Sequence, residues 1–265
     1  MTTIGRTYGW RKQPADHRDY KFSAPAPVIA ALPPFADLRA LCPPPYDQGR
    51  IGSCTANAIA GALQFCQIKE GIPNFTPSRL FIYWNERNAE GTVSRDAGAI
   101  IRDGIKVVNT VGACNESRWG YDDTPADPAT GVWAPSAKPR KKPSCIAFHF
   151  AKDADAVAYL AVDQNLDQMR ACLAGGFPFV FGFQVYDSFE SAAVATSGVV
   201  PMPSPGERVL GGHAVLCVGY DDATRRFTVR NSWGAGWGLG GYFSIPYDYL
   251  ANQSLASDLW TIRKV

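Results

Sequence analysis

DQGRIGSCTANAIA, residues 47–60, puts a cysteine at the mouth of an alanine-rich run. Gly52 and Ser53 lead into Cys54, with Gln48 six residues upstream. From Cys54 to about Glu70 the pattern predicts a helix, because Ile59, Ala60, Leu63 and Cys66 recur at i, i+1, i+4 and i+7. A thiol that opens a helix sits where backbone N–H groups and the helix dipole favour a negative charge. A buried structural cysteine has no use for that setting; a nucleophile does. A free thiol has a pKa near about 8.5, and a helix N-terminus with a neighbouring imidazolium lowers it to about 3–4.

The 265 residues suffice for one large domain or two half-domains sharing a core. With 46% hydrophobic and 19% charged residues, the composition is that of a soluble globular protein. A net charge of +2 gives no pull toward nucleic acid or a membrane, so neither is expected as a partner. The 25 glycines and 20 prolines point to a loop-rich fold rather than a helical bundle. Seven scattered cysteines, an odd number, do not form a disulfide framework, and at least one thiol is free. The three histidines are His17, His149 and His213, and no Cys/His cluster has metal-ligand spacing, so no metal and no cofactor is expected. The opening MTTIGRTYGWRKQPADHRDYKF lacks the apolar core of a secretory signal, and no run approaches about 18 apolar residues. The expectation is a cytoplasmic protein, with export by a non-standard route as the alternative.

Four stretches divide the chain. Residues 1–31 are polar and basic, then run into APAPVIAALPP, which reads as an extended linker. Helical patterns follow at Cys54–Glu70, Ser78–Asn88 and Ala97–Asn109, with Pro77 and Ser78 as start signals for the second. Residues 122–145 are rich in proline, alanine and charge and read as a long loop between two halves. Within it, Lys138–Lys142 reads as a solvated basic loop, with an anion-binding patch as the alternative. Beyond it, FPFVFGFQVY (177–186), HAVLCVGY (213–220) and FTVR (227–230) read as strands. A mostly helical half followed by a mostly β half is α+β by element order.

A nucleophilic Cys54 needs a base. His149, in IAFHF, reads as a structural strand residue. His213 follows Gly211 and Gly212 and opens a strand. A symmetric hairpin turning at Asp222 sets His213 opposite Asn231 on one face. The Asn carbonyl then accepts a hydrogen bond from one ring nitrogen and leaves the other for Cys54.

These pieces together resemble the papain-like (C1) cysteine peptidases. The matching landmarks, in order, are QGRIGSC (48–54), GGHAVLCVGY (211–220), Asn231, and NSWGAGWGLGGYFSI (231–245). The likeness covers roughly residues 32–265, with FADLR (35–39) similar to the start of the family's mature domain. It implies a two-lobed α+β fold, a helical left lobe at about 42–135 and an antiparallel β right lobe at about 140–265, with the cleft between them. The family's roles make Cys54 the nucleophile, His213 the base and then the acid, Asn231 the orienting residue and Gln48 an oxyanion donor. Trp233 would shield the Asn–His bond, and Gly98, Gly212 and Trp233 are the candidates for contact with a polypeptide substrate. A papain-like hydrolase or acyl transferase for non-peptide or isopeptide bonds is the alternative activity. Without a histidine-rich occluding loop, the expectation is an endopeptidase.

The chain departs from the usual motif in two places. Ile51 stands where the family has a cysteine, so that disulfide cannot form, and Thr55 replaces the aromatic after the nucleophile. These mark a divergent, bacterial-type branch. VATSGVVPMPSPGERVLGG (194–212) reads as an inserted loop placed to line the cleft. The P2 pocket determinant falls somewhere in 251–259. Residues 1–31 are expected to be a propeptide-like segment crossing the cleft backwards, anchored by Tyr8, Trp10, Tyr20 and Phe22.

Overall fold

The computed structural model describes residues 7–152 and 157–264. The first six residues of the propeptide-like segment lie outside the described residues.

Helix α2 (Cys54–Lys69) is the axis of the left lobe. Every residue from Cys54 to Gln67 is buried, so the apolar stripe read from the sequence understates it. A helix wrapped on all sides lies in the core rather than on its surface. Around it pack α3 (Arg79–Ala89) and α4 (Ile101–Val111). Ser78 caps α3 by accepting the Phe81 N–H at 3.1 Å.

The right lobe is built on an eight-stranded sheet in the order β1-β3-β8-β4-β5-β6-β7, where β1 is Lys21–Phe22 and β3 is Val157–Val162, with β2 (Phe35–Asp37) added to β5. Its centre is β4 (Phe179–Tyr186), β5 (Val209–Asp221) and β6 (Arg226–Arg230), flanked by β7 (Tyr242–Pro246) and β8 (Ala256–Lys264). These pairs are antiparallel. Alternation along β5 divides the molecule into two cores. Ala214, Leu216 and Val218 face the α2 core, whereas Val215 and Cys217 face a second core of Phe179, Phe181, Phe183, Phe243 and Tyr249. Each large apolar side chain so buried contributes about 1.5–3 kcal/mol.

Three expectations change. The Ala/Pro stretch is not wholly extended: Ala26–Ala30 forms a one-turn helix, α1, entered from Pro25 with a proline in its first turn. IAFHF is not a strand. It lies in α5 (Cys145–Ala151), capped by the Ser144 hydroxyl, which accepts the Ala147 N–H. The aromatic alternation had hidden this cap. Finally, the N-terminal segment adds β1 (Lys21–Phe22) in parallel to β3 (Val157–Val162), so it belongs to the sheet.

Candidate active site

Cys54 is the first residue of α2 and is fully buried. The backbone amides of Ala214, Gly9 and Thr55 favour the charged form of its sulfur. Ala214 adjoins His213, so the thiol lies beside the start of the buried part of β5.

His213 Nε2 lies 2.8 Å from Asn231 Oδ1. The pair forms, but not through the expected register. The turn pairs Asp221 with Arg226, and a bulge between Cys217 and Gly219 shifts the pairing to Leu216 with Arg230. Continued past β6, that register sets Asn231 beside Val215 rather than His213. Residues 213 and 215 share a face, so the two side chains meet on a diagonal. The extra residue decides this. Without it Asn231 would fall on the opposite face of the sheet from His213. Asn231 Oδ1 also accepts the Ser232 N–H at 2.9 Å, which fixes the orientation of its amide.

Rings enclose His213. Trp233 lies 5.2 Å away at 30°, Phe183 at 5.8 Å and Tyr8 at 6.2 Å. Trp233 is itself walled by Phe189 and Trp237.

Gln48 is fully buried. Ser232 Oγ donates to its Oε1 at 2.7 Å, so Nε2 is the atom turned toward Ile51 O, 3.1 Å away. Tyr121 Oη donates to the Gln48 carbonyl and lies 2.6 Å from Ser53 Oγ. The sequence reading missed Ser232 and Tyr121, ordinary polar residues whose partners lie far along the chain.

The N-terminal segment runs through this site. Gln48 Nε2 reaches the Thr7 carbonyl at 3.3 Å. Gly9 O accepts the Ala99 N–H at 2.7 Å, Arg11 donates to Ala99 O at 3.1 Å, and Trp10 donates to Gly212 O at 2.9 Å. The Trp10–Ala99 bridge is parallel. A Cβ on Gly98 would come 1.9 Å from Gly9 O, and Gly98 has φ +64°, so only glycine admits this approach. Gly98 therefore lines the contact, while Ala99 makes the backbone hydrogen bonds.

Trp10 is the anchor. Its ring lies against Gly182, where a Cβ would approach to 1.9 Å, and its Nε1–H donates to Asp258 Oδ2 at 3.0 Å. Asp258 lies within 251–259 and also accepts the Gln13 N–H at 2.9 Å. Tyr8 Oη donates to Glu190, and Arg11 pairs with Glu90. Of the other expected anchors, Phe22 is half-buried under Arg263, but Tyr20 is exposed. The inserted loop turns onto β7, where Val200 donates to Ser244 O at 2.9 Å.

With the segment seated, burial pushes the Cys54 thiol up to about 11. This reverses the lowering expected for a nucleophile. The cause is exclusion of water, which penalises the thiolate more than the three N–H groups support it.

The chain matches the papain family cysteine proteases over residues 32–259 and belongs to that family. Xylellain, a cysteine protease from Xylella fastidiosa, is 50% identical with a TM-score of 0.92, covering 97% of this chain and 96% of that one. An uncharacterized peptidase C1-like protein of Acanthamoeba polyphaga mimivirus is 40% identical over 289 residues, covering 100% of this chain and 89% of that protein. A procathepsin B from Trypanosoma congolense, at 19% identity and a TM-score of 0.68, shares the fold over 97% of this chain and 85% of that one. The chain is a cysteine peptidase with the two-lobed α+β architecture.

Proposed function

We propose that the chain cleaves polypeptides internally through a Cys54 thiolate and that its own residues 7–13 hold it inactive. In this reading His213, oriented by Asn231, takes the thiol proton, and the thiolate attacks the scissile carbonyl carbon. Gln48 Nε2–H and the Cys54 N–H stabilise the negative charge on the carbonyl oxygen. His213 returns its proton to the leaving amine as the C–N bond breaks. Water, deprotonated by His213, then releases the carboxylate product and restores the thiol. Trp233 keeps water from the His213–Asn231 bond. Gly212 and the Gly98–Ala99 edge are the substrate's backbone partners.

The observation that carries the reading is the Thr7 carbonyl on Gln48 Nε2, 3.3 Å away, where a substrate's oxyanion would sit. The Gly9 backbone amide also acts on the Cys54 sulfur. A segment seated this way blocks the site to a substrate. It continues past the thiol in both directions, which favours an endopeptidase.

Hydrolysis of a quenched mixed-peptide library under reducing conditions tests this. The full chain should cleave slowly, Trp10→Ala about tenfold faster or more, and Cys54→Ala not at all. Equal rates for the full chain and Trp10→Ala would reject inhibition. Silence from both, with Cys54 still open to an electrophilic probe, would reject a peptide substrate.

A further inference from the structure

The loop 47–53 carries Gln48 and delivers Cys54, so its position sets both proposed oxyanion donors. Ile51 occupies the place of the family's cysteine, and all seven cysteines are free. No covalent tie holds this loop, but a carboxylate does. Both oxygens of Asp96 lie 3.0 Å from the Gly52 nitrogen. Tyr83 Oη, from α3, donates to Asp96 Oδ1 at 2.5 Å and accepts the Gly98 N–H at 3.2 Å. The Asp96 main chain is itself pinned by its N–H on Gly131 O at 2.8 Å. Gly52 stands two residues before Cys54, and Asp96 two residues before Gly98. One side chain thus joins the approach to the nucleophile with the edge against which residues 9–11 lie.

We propose that Asp96 is a positioning residue, whose carboxylate, shared by the Gly52 N–H and the Tyr83 hydroxyl, holds the Cys54 loop and the Gly98–Ala99 edge in one register. The inference rests on the reading of Cys54 as nucleophile and of that edge as the substrate's partner. A carboxylate suits the task because it only accepts, and can take an N–H and an O–H together. Its loss lets the oxyanion donors drift from the substrate carbonyl, and a misplacement of about 1 Å costs about 10²-fold in rate. Tyr83 serves the Gly98 side, so the two residues have separable effects.

The test uses the full chain carrying Trp10→Ala, with rates normalised to Cys54 titrated by an irreversible thiol reagent and unfolding midpoints measured in parallel. Asp96→Ala should lower kcat about 10²-fold among the titrated sites. Asp96→Asn, which keeps an oxygen for the Gly52 N–H, should recover most of that loss. Tyr83→Phe should raise KM with kcat nearly unchanged. A kcat for Asp96→Ala within about twofold of the background, or a loss that Asp96→Asn does not recover, overturns the proposal. If Asp96→Ala does not fold, an unchanged KM in Tyr83→Phe overturns it. Hydrolysis surviving Cys54→Ala would instead overturn the nucleophile assignment. If the background cleaves nothing, the peptidase mechanism fails on its own. The alkylation rate of Cys54, reduced in Asp96→Ala and restored in Asp96→Asn, then decides the positioning role.

Discussion

His213 lies in a cage of rings, whereas Gln48 hangs in a net of hydrogen bonds. On the β wall of the cleft, Trp233 and Phe183 pack on the imidazole, and Phe189 and Trp237 back Trp233. On the helical wall, Tyr121, Asp96 and Tyr83 hold the loop and the Gly98 edge through polar atoms, and Ser232, next to Asn231, reaches across to Gln48. Apolar packing is non-directional and tolerates small shifts. A hydrogen bond fixes an atom's direction, and is costly to leave unmade when buried. In the proposed mechanism the β wall holds a base that works with one partner. The helical wall would have to aim donors at an oxygen that exists only briefly, which calls for directional support.

The largest test breaks the β wall. His213→Ala should lower hydrolysis by Trp10→Ala enzyme by about 10⁴-fold or more, measured as kcat/KM. A loss below about tenfold would remove His213 from the mechanism.

Gln48→Ala breaks the helical wall, with an expected kcat loss of about 10²–10³-fold. Ser232→Ala sharpens the comparison, because it frees the Gln48 amide to rotate and leaves its donor present. Its loss should be smaller, about tenfold, and fall in kcat rather than KM. If both variants change only KM, Gln48 binds substrate and does not serve the oxyanion.

The smallest effect lies behind the helical wall. Glu86 on α3 is fully buried, the Thr55 hydroxyl donates to its Oε2 at 2.9 Å, and Oε1 has no hydrogen-bond partner among the described residues. Burial pushes its carboxyl up from 4.5 to about 8, against the Arg87 and Arg11 charges that favour ionisation. Between those values the folded chain keeps a proton that the unfolded chain has released, so this contribution to stability is lost as pH rises through that window. Glu86→Gln removes the titration. Its stability relative to the parent should improve by about 1–3 kcal/mol between pH 5 and pH 8 by denaturant melts. A constant difference across that range would place the titration elsewhere.

The β wall was the legible one. NSWGAGWGLGGYFSI carries Asn231, Trp233 and Trp237 in one continuous run, and the parallel to the papain family follows from it, whereas Tyr8, Phe183 and Phe189 join the cage from elsewhere in the chain. The His213–Asn231 pair was predicted, but the route to it was not. A bulge is set by how two strands pack, and Val218 carries no local mark of it. The helical wall was legible only at Gln48 and Cys54. Asp96 and Ser232 act on residues 44 and 184 positions away, and single polar residues give no signal over such spans. Alternation misread His149 because Ser144, a helix cap, counted as loop.

The central claim is that residues 7–13 close a site that is otherwise assembled. It is tested most directly by the pH dependence of Cys54 alkylation by iodoacetamide in the full chain and in Trp10→Ala, followed by mass at that residue with exposed Cys145 as the internal reference. In the full chain Cys54 should stay unreactive at neutral pH, where burial under the segment keeps it a thiol. In Trp10→Ala it should react at neutral pH and below, as a thiolate beside an imidazolium does. Equal profiles for the two chains, with Cys145 unchanged, would contradict the account.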